Sequence, residues 1–164
     1  MKIILILEAE GGSVPADTRR GDASRYRVCT GTEPAGRETA EALFTLTVPP
    51  IETPLLDEVP GPGTGFRAWL DRRREAGRRT GELLDMLEKD ELDSVVICGR
   101  QMMYALRGGL RARGYLLEGG GLLPRPLERV RATKRSLHCG GCAHNCLLSE
   151  AKCEKGRNKL KGIR

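Results

Sequence analysis

The stretch Lys2–Leu7, KIILIL, decides the fold of this chain. Five of its six residues are large and apolar, with no alternation between apolar and polar positions, which is typical of a central strand covered on both faces. A second run of the same kind, SVVIC, occupies Ser94–Cys98. Strands covered on both faces occur mainly in parallel sheets flanked by helices, so the two runs predict an α/β fold.

The remaining elements alternate between strands and helices. Residues 26–30 alternate polar and apolar side chains and predict a second strand, and residues 128–132 predict a last one. Apolar residues recur at helical spacing in residues 37–44, Phe66–Lys89 and residues 102–113, so helices are expected there. This order of elements predicts a three-layer α/β/α sandwich.

Four of the six cysteines lie close together near the C-terminus, at the spacing C-x2-C-x3-C-x6-C. Thiolates gathered this closely in a glycine-containing loop are most simply explained by one bound metal. Gly140 and Gly141 allow the backbone to fold back, so that the first two cysteines can approach the same ion. We expect a small metal-binding module whose ligands are Cys139, Cys142, Cys146 and Cys153.

The residue types leave the identity of the metal open. All-sulfur ligation suits zinc and iron-sulfur clusters alike. The span is close to that of a single zinc knuckle, which favours Zn2+, and a [4Fe-4S] cluster is the alternative. His138 and His144 are the only histidines in the chain, and either can replace a cysteine ligand of zinc. Two disulfides are a further interpretation, but the N-terminus does not resemble an export signal, so we expect a reducing, cytoplasmic location.

The positive charge is concentrated in the same C-terminal segment. The whole chain has a net charge of +6, whereas residues 125–164 hold 11 Lys and Arg against 3 Asp and Glu, a net of +8. Such a segment can contact nucleic acid or an acidic partner, although a solvated basic tail is the simpler interpretation. No membrane contact is expected. The glycines of residues 119–121 predict a flexible connection, which divides the chain into a domain of residues 1–121 and a segment of residues 122–164.

Four stretches of the chain follow the order and spacing of a known family: MKIILI at residues 1–6, RETAEAL at 37–43, LDE at 56–58 and VVIC at 95–98. They resemble the first strand, the helix after the second strand, the acid-bearing Leu-x-Glu and the strand before the second catalytic histidine of the histidine phosphatase superfamily, the phosphoglycerate mutase-like phosphatases. The resemblance covers residues 1 to about 114 and implies a phosphoglycerate mutase-like sandwich.

The catalytic residues of that family are missing from this chain. Glu8 aligns with the phosphate-accepting histidine and Leu7 with its arginine. Ala35 aligns with the arginine after the second strand and Gly99 with the second histidine, so that only the acid position, Glu58, is filled as expected. Transfer through a phosphohistidine needs an imidazole nucleophile and a cationic pocket. The resemblance therefore implies a pseudo-phosphatase.

The sequence predicts a non-catalytic protein that binds a partner or senses metal or redox state. An iron-sulfur electron-transfer protein and a nucleic-acid binder with a zinc-knuckle-like tail are alternatives from other classes. A residual hydrolase, or a pocket for a cationic ligand or divalent metal, is a third, and its candidate residues are Glu8, Glu10, Glu58 and Arg100. Cys29 and Cys98 are expected to be buried structural thiols, with a nucleophilic or redox role of Cys98 as the alternative.

Overall fold

The computed structural model describes residues 1–9, 14–60 and 64–134, together with Glu154. The chain divides into two compact units, Met1–Thr133 and Lys134–Arg164, and nearly all described residues belong to the first. The expected metal ligands Cys139, Cys142, Cys146 and Cys153, and also His138 and His144, lie outside the described residues.

The first unit is a mixed α/β structure with a mostly parallel central sheet. The described strands are β1 (Lys2–Leu7), β2 (Gly21–Asp22), β3 (Arg27–Thr30), β4 (Phe44–Thr45), β5 (Ile51–Glu52), β6 (Ser94–Cys98), β7 (Tyr115–Glu118) and β8 (Arg129–Lys134). The described α-helices are α1 (Pro34–Leu43), α2 (Phe66–Lys89) and α3 (Arg100–Ala112), and a 3-10 turn spans Pro54–Leu56. None of these helices is long and apolar enough to cross a membrane.

Six strands form the central sheet, in the order β5-β3-β6-β1-β8-β7, and β2 pairs with β4 separately. β1 runs parallel to β6, with Ile3 opposite Ser94 and Leu7 opposite Cys98. On its other side β1 runs antiparallel to β8, with Ile3 opposite Ala132. The two apolar stretches that predict the fold are therefore neighbours in the interior of the sheet.

Helices cover both faces of the sheet. On one face Ile3, Leu5 and Leu7 of β1 join a core with side chains of α2 and α3, among them Leu83, Leu84, Leu87, Met102, Met103, Leu106 and Leu110. On the other face Ile6 packs with Ala40 and Leu43 of α1. Successive side chains of β1 point to opposite faces of the sheet, and both faces are covered. Consecutive positions therefore need apolar residues, which explains the continuous apolar run.

The sheet continues past Gly121, where the first domain was expected to end. β7 lies beside β8, and the glycines of residues 119–121 begin the connection between these two neighbouring strands. Gly119 and Gly120 adopt φ angles of 80° and 79°, which glycine adopts without strain. A Cβ atom on Gly119 would lie 2.9 Å from the carbonyl oxygen of Arg129, so the turn is also tight.

The helices α2 and α3 approach closely at Gly109. A Cβ atom there would lie 2.7 Å from Cγ2 of Thr80 and 3.1 Å from Cδ1 of Leu84. The neighbouring Gly108 is exposed, and a Cβ atom on it would meet nothing within 4 Å. Glycine at position 109 therefore sets the distance between the two helices, whereas glycine at position 108 does not.

Candidate functional site

The loops that follow the parallel strands meet at one edge of the sheet, where open α/β sheets bind their ligands. Glu8 follows β1 directly, and Gly99 follows β6 and precedes α3. Asp57 and Glu58 belong to the loop between the 3-10 turn and α2. The paired strands thus bring together residues that are far apart in the chain.

Glu8 and Glu58 converge on Gly99. A Cβ atom built on Gly99 would lie 3.1 Å from Oε1 of Glu8 and 2.8 Å from Oε1 of Glu58. Both carboxylates therefore reach to within about 3 Å of one point, where any side chain at position 99 would collide with them. We call Glu8, Glu58 and the nearby Asp57 and Glu33 the carboxylate pocket.

Two further glycines border the carboxylate pocket. A Cβ atom on Gly36, in the first turn of α1, would lie 3.7 Å from Oε2 of Glu8. A Cβ atom on Gly31, just after β3, would lie 2.7 Å from Oδ1 of Asp57. The small residues at these positions leave the space that the carboxylates occupy.

Hydrogen bonds hold the backbone around Glu8. The Glu8 N–H donates to the carbonyl oxygen of Cys98 over 3.1 Å, which continues the pairing of β1 with β6. The Ala9 N–H donates to Oγ1 of Thr39 over 3.1 Å, and that hydroxyl donates to the carbonyl oxygen of Ala35 over 2.7 Å. The start of this loop is thereby tied both to the sheet and to α1.

Asp57 has a structural role in the pocket. Its Oδ1 accepts a hydrogen bond from the Thr32 N–H and its Oδ2 accepts one from the Thr32 hydroxyl, each over 2.6 Å. A carboxylate with both oxygens engaged in this way fixes the loop after β3. Glu8 and Glu58 are therefore the better candidates for contact with a ligand.

The charge of the pocket is strongly negative. Burial raises the pKa of Glu8, and the nearby carboxylates of Glu33, Glu58 and Asp57 raise it further. Desolvation and like charges both disfavour the ionised form of a carboxylic acid. The pocket therefore favours cations or protons and repels anions such as phosphate.

Thr30 adds a buried hydroxyl beside the pocket. Its side chain is fully buried, and its Oγ1 has no hydrogen-bond partner among the described residues. A Cβ atom built on Gly36 would lie 3.4 Å from the Cβ of Thr30 and 3.7 Å from Oε2 of Glu8. An unpaired buried hydroxyl costs free energy that a bound molecule or a water can recover.

The other predicted pocket residues have different surroundings. Arg100 is the first residue of α3 and lines a cavity of about 890 Å3 together with Tyr104 and residues 121–128. Leu7 is buried in the core, and Glu10 lies outside the described residues. Of the candidates that the structure describes, Glu8 and Glu58 converge on Gly99, and Arg100 directly follows that glycine in the chain. Sequence reasoning missed Asp57, Glu33 and Thr30, although Asp57 lies within the LDE stretch at residues 56–58.

The two thiols of the sheet are fully buried. Burial raises the pKa of Cys29 to about 11, against a smaller opposing effect of Arg27. Burial and the charge of Glu8 raise the pKa of Cys98 as well. Both thiols therefore stay protonated at neutral pH. Because the thiolate is the reactive form, this fits structural thiols and not a nucleophile.

Comparison of the chain with protein-family models and with curated proteins finds no match. Within residues 1–9, 14–60 and 64–134, no three Asp, Glu, Cys or His side chains are arranged to hold a metal ion. The carboxylate pocket and the C-terminal cysteine spacing are therefore the features of this chain that bear on its function.

Proposed function

We propose that this chain is a non-catalytic pseudo-phosphatase with a C-terminal zinc or [4Fe-4S] site, and that it acts by binding a partner or by sensing metal or redox state. The observation that best supports the loss of catalysis is the convergence of Glu8 and Glu58 on Gly99. These are the positions that the family resemblance aligns with the first histidine, the acid and the second histidine. Their meeting at one sheet edge supports both the resemblance and the loss of its chemistry.

The carboxylate pocket is unsuited to phosphoryl transfer for two reasons. Its described residues include no histidine, since both histidines of the chain, His138 and His144, belong to the cysteine-rich segment outside the described residues. It also repels the substrate, since two like unit charges 4 Å apart cost about 4 kcal/mol at an effective dielectric constant of about 20. A phosphate dianion next to Glu8 and Glu58 would face this repulsion more than once.

The proposal also covers the fold, the location and the C-terminal segment. A phosphoglycerate mutase-like three-layer sandwich is supported by the helices on both faces of the sheet. The cytoplasmic location rests on the sequence alone. So does the metal site, in which Cys139, Cys142, Cys146 and Cys153 would act as thiolate ligands. Loss of the metal would unfold that segment and withdraw its basic surface from an acidic partner or a nucleic acid.

Phosphatase activity tests the first part of the proposal. The purified chain should hydrolyse p-nitrophenyl phosphate no faster than buffer, and Glu8→Gln should not change this. The matched control is Glu38→Gln, because Glu38 is an exposed carboxylate of α1 outside the pocket. Turnover that disappears in Glu8→Gln and persists in Glu38→Gln would overturn the pseudo-phosphatase assignment.

Metal analysis tests the second part. Protein purified without oxygen should contain either one zinc ion per chain and no colour, or iron and sulfide with broad visible absorbance. Cys142→Ser should lower the metal content, whereas Cys29→Ala, which removes a buried thiol of the sheet, should not. Protein without metal, or with equal metal content in Cys142→Ser, would contradict the predicted site.

A residual hydrolase is the second candidate function. The raised pKa of Glu8 next to a second carboxylate favours it, because hydrolases use such pairs as general acid and base. A screen with uncharged and cationic esters tests this candidate. Turnover with a bell-shaped pH profile that is lost in both Glu8→Gln and Glu58→Gln would support it over the non-catalytic assignment.

A further inference from the structure

Five large apolar side chains are exposed on the surface formed by α2, α3 and the residues after β7. Two of them begin α2, one lies on α3 and two follow β7. Their exposed fractions are 75% for Phe66, 46% for Trp69, 42% for Tyr104, 90% for Leu122 and 78% for Leu123. Apolar residues clustered in this way commonly mark an interaction surface.

Two cavities connect these side chains into one surface. The first, of about 590 Å3, lies between α2 and α3, and Trp69, Gly77, Tyr104 and Gly108 contribute to its lining. The second is the 890 Å3 cavity between α3 and residues 121–128. Tyr104 lines both cavities, and its hydroxyl donates to the carbonyl oxygen of Leu122 over 3.2 Å. We call the two cavities together the Tyr104 groove.

The shape of the groove suits aliphatic or aromatic side chains. A Cβ atom on Gly77 or Gly108 would meet nothing within 4 Å, so these glycines leave open space between the helices. The Trp69 ring is already engaged, because it stacks on Phe66 with centroids 5.7 Å apart and lies 5.3 Å from the guanidinium carbon of Arg73. A nucleic-acid base would have to compete with these contacts for the ring.

The charge of the groove is positive. Arginines line both cavities: Arg72 and Arg73 in the first, Arg100 and Arg125 in the second. Among the described lining residues the one carboxylate is that of Glu128, and its oxygens accept hydrogen bonds from the backbone N–H groups of Gly121 and Arg125. Apart from Glu128, the charged side chains that line the two cavities are therefore all arginines.

We propose that the Tyr104 groove docks an acidic protein segment. Apolar side chains of the segment occupy the space beside Trp69 and Tyr104, and its carboxylates pair with Arg73 and Arg125. Tryptophan and arginine are the residue types that most often dominate binding energy at protein interfaces. This inference gives a partner class and a surface to the binding role proposed above, and it depends neither on the carboxylate pocket nor on the metal site.

The test uses the full chain and a fluorescein-labelled peptide of about twelve residues in which pairs of Asp or Glu alternate with Leu or Phe. Fluorescence anisotropy should show binding that is weaker by about tenfold or more in Arg73→Glu and in Trp69→Ala. The matched control is Arg74→Glu, the same charge change at an exposed position of α2 that lines neither cavity, and it should weaken binding less than about twofold.

Several outcomes would overturn the inference. Equal losses in Arg73→Glu and Arg74→Glu would mean that the peptide responds only to total charge, to which the basic C-terminal segment contributes. A peptide with Ser in place of Leu and Phe that binds equally well would have the same meaning. Tighter binding of a labelled oligothymidine, sensitive to Arg73→Glu, would assign the groove to nucleic acid.

Two controls separate this inference from the proposed function and from misfolding. Circular dichroism of each variant shows whether it folds. If Trp69→Ala does not fold, the comparison of Arg73→Glu with Arg74→Glu tests the docking surface without it. Metal content and phosphatase activity are measured on the same preparations. Absence of peptide binding in a metal-loaded, inactive protein would overturn the docking surface alone.

Discussion

Replacing Gly108 and Gly109 one at a time with alanine should change stability in opposite directions. The two residues are adjacent in α3, so both substitutions add one methyl group to the same helix. At Gly108 the new methyl group would lie in open space, whereas at Gly109 it would lie 2.7 Å from Cγ2 of Thr80 and 3.1 Å from Cδ1 of Leu84. Thr80 and Leu84 are buried, so neither can move aside freely.

The magnitudes follow from two opposing effects. Alanine in place of glycine inside a helix stabilises by about 0.5–1 kcal/mol, because the unfolded chain has less conformational freedom to lose. At Gly109 this gain is opposed by overpacking, which costs about 1–3 kcal/mol in a packed core. We expect Gly108→Ala to be more stable than the parent, and Gly109→Ala to be less stable. A separation of about 2 kcal/mol corresponds to about 30-fold in the folding equilibrium.

Urea unfolding followed by tryptophan fluorescence measures this difference. Trp69 is the only tryptophan in the chain and lies near the start of α2, so its emission reports on the first unit. Circular dichroism of the same samples checks that loss of helix coincides with the change in emission. The denaturant slope should be the same in all three proteins if only the folded state is affected.

Stabilisation of both variants by the same amount would contradict the expected clash at Gly109. In that case the helices can separate at position 109 without cost, and the contact with Thr80 does not set their distance. Destabilisation of both variants would instead show that Gly108 is enclosed, contrary to its open surroundings.

Three further changes have expected outcomes. Glu8→Gln should stabilise the chain at neutral pH and not below a pH of about 4.5, because the pKa of Glu8 is raised above its ordinary value of 4.5. The stability linked to the protonated form of Glu8 is lost as pH rises through that higher pKa. Unfolding measured from about pH 4 to about pH 8 tests this, and a gain independent of pH contradicts it. Tyr115→Phe removes the 2.9 Å hydrogen bond from the hydroxyl to Oε1 of Glu88 and should lower the free energy of unfolding by about 1 kcal/mol. The control is Tyr104→Phe, which removes an exposed hydroxyl and should lower it by almost nothing. Equal losses of stability in urea unfolding would exclude a special role of the Tyr115–Glu88 bond. Thr80→Val should raise the free energy of unfolding by about 1 kcal/mol, because the buried Thr80 Oγ1 has no hydrogen-bond partner among the described residues. A loss of stability in the same urea experiment would show that this hydroxyl does have a partner.

The pattern of apolar residues was sufficient to predict three of the elements that build the core. β1, β6 and α2 have the expected bounds, since each carries a continuous apolar run or a long helical apolar stripe. The edge of the sheet gives no such signal. β7 has a buried Tyr115 followed by exposed and half-buried residues, and β5 is only two residues long. Such strands depend on their neighbours for pairing and not on a pattern of their own.

Helix starts were predicted less well than helix bodies. α1 begins at Pro34 and not at Arg37, and α3 begins at Arg100 and not at Met102. Proline suits the first turn of a helix because its φ angle is already helical and its missing N–H has no intrahelical partner there. First-turn residues often face solvent, so apolar periodicity indicates the helix only after it has begun.

The candidate site was predictable in part. The resemblance aligned Glu8, Glu58 and Gly99 with catalytic positions, and these residues do meet. The contributions of Glu33 and Thr30 were missed because they depend on where α1 begins and on the pairing of β3 with β6, which short polar turns do not reveal. The C-terminal cysteines lie outside the described residues, and their metal site stays a prediction.

The position of β1 in the sheet has a consequence for biosynthesis. β1 leaves the ribosome before both of its partner strands, because Ile3 pairs with Ser94 on one side and with Ala132 on the other. Until β6 and then β8 have been synthesised, this apolar segment has two open hydrogen-bonding edges and uncovered faces. Segments of this kind self-associate readily, and non-local pairing is slow. The nascent chain should therefore depend on chaperones until Arg129–Lys134 emerges and closes the second edge of β1.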